Sequence, residues 1–272
     1  MGRLSTNALG AVFSQKDIRD YKLAEPEEKF PKSFELTLGP VKNQYAIGSC
    51  VAHAIAETIE FHNSLQGNND AMSVGYIYGN RRGSAHLKSG MIVRDALKNA
   101  CSYGDIALVD FPENEEVPGI IAKFEERVDG MFEEATLSHF EKYYRVSSEE
   151  EIKTAIMSDG PVIFAMNWYD DFHVNASGIL ESTYKKENRG GGHCMVIYGW
   201  NQRGWLIRNS WGKYWGERGN ATLPYEAPIN EAWGIADDKS NTPIKKPYST
   251  RFGKFIAKIL NFIINLFYKV KE

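Results

Sequence analysis

Cysteine is scarce. Three occur in 272 residues, at Cys50, Cys101 and Cys194. Three scattered thiols cannot build a disulfide framework, and an odd number leaves at least one free. No C-x-x-C pair occurs, so a structural zinc site is not expected, and nothing else in the sequence asks for a cofactor. Net positive charge is lacking too. The formal charge is -3, so no overall basic field favours nucleic acid as a partner. No apolar run is long and uninterrupted enough to be an obvious transmembrane helix. The opening "MGRLSTNALGAVFSQKD" has no long apolar core, so no secretory signal is expected. Internal repeats and low-complexity tracts are absent as well.

What is present reads as an ordinary globular chain, with 43% hydrophobic and 25% charged residues. Residues 1–30 are polar and carry the acidic cluster "EPEEKF" before Pro31. They are expected to be an extension, and "VFSQKDIRDYKLA" within them is expected to be either an integral strand or a short plug. Pro31 to Pro40 reads as a loop entering the main domain. From Ser49 the pattern is helical, with Val51, Ala54, Ile55, Ile59 and Phe61 on one face. "MSVGYIYGNRR" suggests a second helix, and "MIVRDALKNACSYG" a third that ends at Gly104. After residue 140 the segments "PVIFAMNW", "HCMVIYGW", "GWLIRNSW" and "NATLPY" are short, aromatic and β-branched, which predicts strands. Helices in the first half and strands in the second imply an α+β protein.

The tail stands apart. Arg251, Lys254, Lys258, Asn261, Asn265 and Lys269 recur every three or four residues as one polar stripe. Phe252, Phe255, Ile259, Phe262, Ile263, Leu266 and Phe267 cover the rest. A wide apolar face with a basic stripe suits a membrane surface, and it suits equally a helix docked on its own domain. Residues 249–272 are therefore expected to meet a membrane surface or a partner protein, or to fold back.

The chemistry gathers at Cys50, in "VKNQYAIGSC", where an apolar-periodic helix begins. A thiol at a helix N-terminus lies near unpaired backbone N–H groups and the positive end of the macrodipole, and both favour the thiolate. A catalytic thiol also needs a base, an orienter for that base, and donors for an oxyanion. His193 opens an apolar strand after a glycine run expected to be flexible. Asn209 lies in "WLIRNSWGKYWG", and its amide can fix an imidazole's tautomer and plane. Gln44 precedes Cys50 closely enough to supply an amide N–H.

Gln44, Gly48-Ser49-Cys50, His193, Asn209-Ser210-Trp211-Gly212 and Trp215-Gly216 together resemble the papain-like cysteine peptidases. In that family, histidine and asparagine follow the cysteine by roughly 130–150 residues. Here they follow by 143 and 159, in the same order. The resemblance spans roughly residues 31–225. It implies a two-lobed domain over 31–240, with a helical lobe over 41–135 carrying Cys50 and a β-barrel-like lobe over 136–240 carrying His193 and Asn209. The cleft between them would hold an extended peptide. Residues 241–272 would be a linker and an amphipathic C-terminal helix. The resemblance also implies a resting thiolate–imidazolium pair, an oxyanion held by Gln44 and the Cys50 N–H, and Trp211 shielding the His193–Asn209 bond. Met91 and Cys194 would border the pocket for the second residue before the scissile bond.

The departures are informative. Ile47 stands where the family has a disulfide-forming cysteine, which agrees with a reducing compartment: cytoplasm, or the interior of a virion or host cell. Val51 and His53 replace aromatic residues, and Tyr45 replaces a small one. His53 is expected to be structural and His173 to lie in an exposed loop. The same triad serves an endopeptidase, an amidase, or a peptide ligase or other acyl transferase. A catalytically weak peptide-binding module tethered to a membrane is the non-enzymatic alternative.

Overall fold

The computed structural model describes residues 9–17, 20, 30–80, 90–108, 135 and 138–237. The expected C-terminal helix lies outside them. Helix α1 (Cys50–Leu65) is the longest described helix. Its residues from Cys50 to Ile59 are all buried, including His53, Glu57 and Thr58. A helix buried on every side is an internal one. Two shorter helices pack beside it, α2 (Val74–Gly79) and α3 (Val93–Tyr103). The third stops where the sequence indicates, at Gly104 with φ 66°.

Beside the short antiparallel pair β6 (His173–Val174) and β7 (Leu180–Glu181), the second half carries strands β4 (Lys142–Val146), β5 (Val162–Tyr169), β8 (Arg189–Asn201), β9 (Gly204–Arg208), β10 (Asn220–Leu223) and β11 (Ile229–Ala236). They form one antiparallel sheet in the order β10-β9-β8-β5-β11-β4, and β2 (Phe34–Glu35) adds to β8. Alternation along the central strands divides two cores. Ile163 and Ala165 of β5, and Cys194 and Val196 of β8, join α1, α2 and α3. Val162, Phe164, Met166, Met195 and Ile197 join the other side. That is the period of two expected of strands covered on both faces.

Three sequence expectations need correction. Helix α4 (Glu149–Ser158) interrupts the strand-rich half. It is started by a reciprocal capping box between Ser148 and Glu151, with three glutamates in its first turn. The Gly190–Gly192 run is not a flexible lead-in: it lies inside β8, paired with β5. Finally, β1 (Ala11–Val12) is not a strand of the β lobe. It pairs in parallel with β3 (Met91–Ile92), in a separate two-stranded sheet.

Candidate active site

Helix α1 places Cys50 on its first residue, with Ser49 as N-cap. Strand β8 carries His193, and Asn209 directly follows β9. These three are buried to 1% exposure or less. His193 Nε2 lies 2.9 Å from Asn209 Oδ1. That oxygen also accepts the Ser210 N–H at 2.8 Å, which fixes it as the acceptor end of the amide. The bond therefore puts the proton of neutral His193 on Nε2 and leaves a lone pair on Nδ1. Nδ1 is buried and makes no hydrogen bond. A buried imidazole nitrogen with an unused lone pair is a base in waiting.

Trp211 stacks on His193 at 4.6 Å and 26°, where the sequence suggested a shield. Trp168 closes another side, edge-on at 5.2 Å. Sequence reasoning missed Trp168, although the register that pairs it with Gly191 also sets it beside His193. Cys194 belongs with Cys50, Met91 and Ala11 in the helical-side core, while Trp168 belongs to the other core, so β8 turns its two neighbouring residues to opposite sides.

Gln44 is buried and tightly held. Its backbone N–H donates to Ser210 O at 2.7 Å, and Ser210 Oγ donates to its Oε1 at 2.5 Å. Its Nε2 donates to Ile47 O at 2.7 Å, a bond that uses one of the two amide protons. Tyr45 beside it sits at φ 49° and is half-exposed. His53 is buried, with Nδ1 3.0 Å from Ser49 O, a structural position. His173 is exposed and lies 3.3 Å from Glu181.

Residues 9–14 pack against this site. Gly10 O accepts from Met91 N at 2.7 Å. A methyl group on Gly10 would come within 2.0 Å of Gly48 O, so no other residue fits there without a shift. A methyl group on Gly192 would meet Ala11 O at 2.0 Å; the glycines of β8 thus make room for the segment. Ala11 is buried in the same cluster as Cys50, Met91 and Cys194, and Phe13 packs against it. Farther along, Ser14 N donates to Glu231 Oε1 at 3.0 Å, and Ser14 Oγ accepts from Arg94 N at 2.9 Å. Arg94 reaches Asp20 at 2.6 Å.

Burial reverses the expected ionisation. It pushes the Cys50 thiol up to about 11, although the backbone amides of Cys194, Gly10, Val51 and Cys50 itself pull the other way. Burial also lowers His193 to about 4, against the opposing hydrogen bond to Asn209. Burial thus favours the neutral form of both the thiol and the imidazole. The thiolate–imidazolium pair expected from the helix start is not the state this environment favours, because loss of water outweighs the helix terminus.

Among the described residues no cluster of side chains could hold a metal ion.

Helix α1 thus carries a thiol, β8 an imidazole and the residue after β9 an asparagine amide. Residues 114–241 match the model for papain family cysteine proteases. Among similar proteins is an uncharacterized peptidase C1-like protein of Acanthamoeba polyphaga mimivirus, 28% identical over 70% of this chain and 65% of its own. Cathepsin O of Mus musculus is 26% identical over 74% of this chain and 62% of its own. The chain thus spans somewhat less than two thirds of these relatives' lengths. Xylellain, a cysteine protease from Xylella fastidiosa, shares the fold with a TM-score of 0.76 at 24% identity, covering 87% of this chain and 98% of its own.

Proposed function

We propose that this chain is a cysteine endopeptidase held shut by its own N-terminal segment. Cys50 is the nucleophile, His193 the base and Asn209 its orienter. The carrying observation is the His193–Asn209 bond, which leaves Nδ1 with a lone pair and no partner. In the open state Nδ1 takes the thiol proton and the sulfur attacks a peptide carbonyl carbon. The Cys50 N–H and the Gln44 amide hold the oxyanion. The C–N bond breaks as protonated His193 gives its proton to the leaving amine. Water then hydrolyses the thioester. Peptides or proteins are the substrates.

The direction of the segment supports latency. Met91 and Cys194 border the pocket expected to hold a residue that precedes the scissile bond. Ala11, which packs in their cluster, follows Gly10 in the chain instead. The segment thus lies in the cleft with its polarity reversed relative to a substrate. Its carbonyl at Gly10 is already bonded to Met91 N. Both features keep it from being cut.

The test is peptide hydrolysis by full-length Gly10→Leu, with Cys50→Ala in the same background as control. Hydrolysis that disappears with Cys50→Ala is expected. A folded Gly10→Leu protein that cleaves no peptide in a broad library, with Cys50 no more reactive toward a peptidyl epoxide than Cys101, would overturn the reading.

A further inference from the structure

Behind the candidate site, α1 and β9 are joined by charge. Glu57 follows Cys50 by seven residues, two helical turns along α1. Arg208 immediately precedes Asn209. Arg208 Nη1 donates to Glu57 Oε1 at 3.0 Å and to Gly39 O at 3.0 Å, and Nε donates to Asn220 Oδ1 at 2.6 Å. Three acceptors around a planar guanidinium leave it little freedom. The next peptide is held as well, with Asn209 N donating to Gly219 O at 2.9 Å. The pair is buried, with side-chain exposures of 5% and 11%. Lys42, His53, Glu57, Arg208, Asn209 and Ser210 line a small cavity beside it.

A buried ion pair is a poor device for stability, because desolvating two charges consumes most of what their attraction returns. That holds here. Burial pushes Glu57 up to about 7, although Arg208 and Lys42 pull it down and Glu60 pushes it further up. What the pair does offer is a fixed length and angle between two elements 151 positions apart in sequence.

We propose that Glu57 and Arg208 are positioning residues that set the helix bearing Cys50 against the strand end that presents Asn209 to His193. Neither touches the reacting atoms. Their effect passes through Asn209 to the orientation of the imidazole, and so to the ease with which Nδ1 accepts the Cys50 proton. This rests on the peptidase reading above.

The experiment is made in the opened Gly10→Leu full-length background with two variants. Glu57→Val/Arg208→Met removes both charges and leaves no buried ion unpaired. Glu57→Gln keeps an oxygen for Arg208 but cannot titrate. Three quantities are read: thermal midpoint, kcat and KM on one peptide, and the pH profile of Cys50 alkylation. The double variant should keep its midpoint, lose on the order of tenfold to a hundredfold in kcat with KM little changed, and shift the alkylation profile. In the parent, kcat should fall as pH drops through about 7, because Glu57 then takes a proton and Arg208 loses its counter-charge. Lys42 from the preceding loop and Glu60 and His53 from α1 also face this region, and all three remain in both variants. Glu57→Gln should therefore flatten the step near neutrality. A double variant with a lowered midpoint but unchanged kcat and alkylation profile would reduce the pair to a structural one. If the double variant does not fold, a Glu57→Gln profile identical to the parent's overturns the proposal. A parent whose Cys50 never alkylates as a thiolate defeats the peptidase reading instead.

Discussion

The site is enclosed from two directions by different physical means. The front is covered by backbone: Leu9 to Phe13 lie against Gly48, Met91 and Gly192, with Gly10 over the thiol. The rear is braced by charge, in the Glu57–Arg208 pair between α1 and β9. The front contact belongs to a segment reached from the chain's beginning and held by a few hydrogen bonds. The rear contact joins two elements at the centre of the fold. A cover can leave without unfolding what it covers, whereas a brace cannot. On the reading proposed above, the difference would place regulation at the front and alignment at the rear.

The largest effect should appear in the ionisation of Cys50. With the cover in place the thiol is held near 11 and His193 near 4, so at pH 6 both are neutral. Sign and cause follow from burial: loss of water disfavours thiolate and imidazolium alike, and its return favours both. Iodoacetamide should modify Cys50 of the unaltered protein very slowly at pH 6 and faster only toward alkaline pH. Gly10→Leu should be modified faster at pH 6 by up to the closed-to-open ratio, on the order of several hundredfold, since exposure and ionisation both change on opening. Equal rates would mean that the segment does not control the thiol, and the contrast between front and rear would collapse.

Turnover should change by no more than that. The segment is held by bonds from Met91 N to Gly10 O, from Ser14 N to Glu231, from Arg94 N to Ser14 Oγ, and by the Arg94–Asp20 pair. At roughly 1 kcal/mol net for each, the closed state is favoured by about 3–4 kcal/mol, or on the order of several hundredfold. Gly10→Leu should raise peptide hydrolysis over the unaltered chain by about that factor. A synthetic peptide of residues 9–17 added to it should inhibit, but only at high concentration, because it has lost the advantage of attachment. Inhibition as tight as the attached segment's would show that attachment contributes nothing.

The rear residues and the front cover differ also in how legible they were. Cys50, His193, Asn209 and Gln44 became candidates because local pattern and the family resemblance single them out: a helix start, an apolar strand, a turn between aromatic strands. The end of α3 at Gly104 was legible for the same reason. Helix α4 was equally local, since Ser148-x-x-Glu151 before an apolar-periodic run is a start signal, and it was lost among neighbouring strands. The rest was not local. Strand β1 is two residues long and pairs with a partner 80 positions away, too short to carry a period. The Glu57–Arg208 pair spans 151 positions. The inverted ionisation of Cys50 could not be read at all, because helix position argues for a thiolate and only three-dimensional burial argues against it.

The smallest expected effect lies where front and rear meet the same wall. Asp20 Oδ2 accepts from Arg94 at 2.6 Å and lies 3.6 Å from Arg145. Arg145 also reaches Glu231 at 3.6 Å, and both arginines lie over the Trp233 ring, at 5.3 and 5.0 Å. Asp20 thus fastens the far end of the cover to residues of both lobes. Asp20→Asn removes the charge but keeps an oxygen for the Asp17 N–H, which now donates at 3.2 Å. A partly buried charge-assisted bond contributes about 1.5 kcal/mol, so the variant should leak about tenfold more activity than the unaltered chain. Raising the salt concentration should move the unaltered chain in the same direction and the variant hardly at all, because screening weakens only the partner that still carries charge. If salt activates both equally, the fastening lies elsewhere along the segment. The bonds around Gly10 and Ser14 would then hold the cover without help from Asp20.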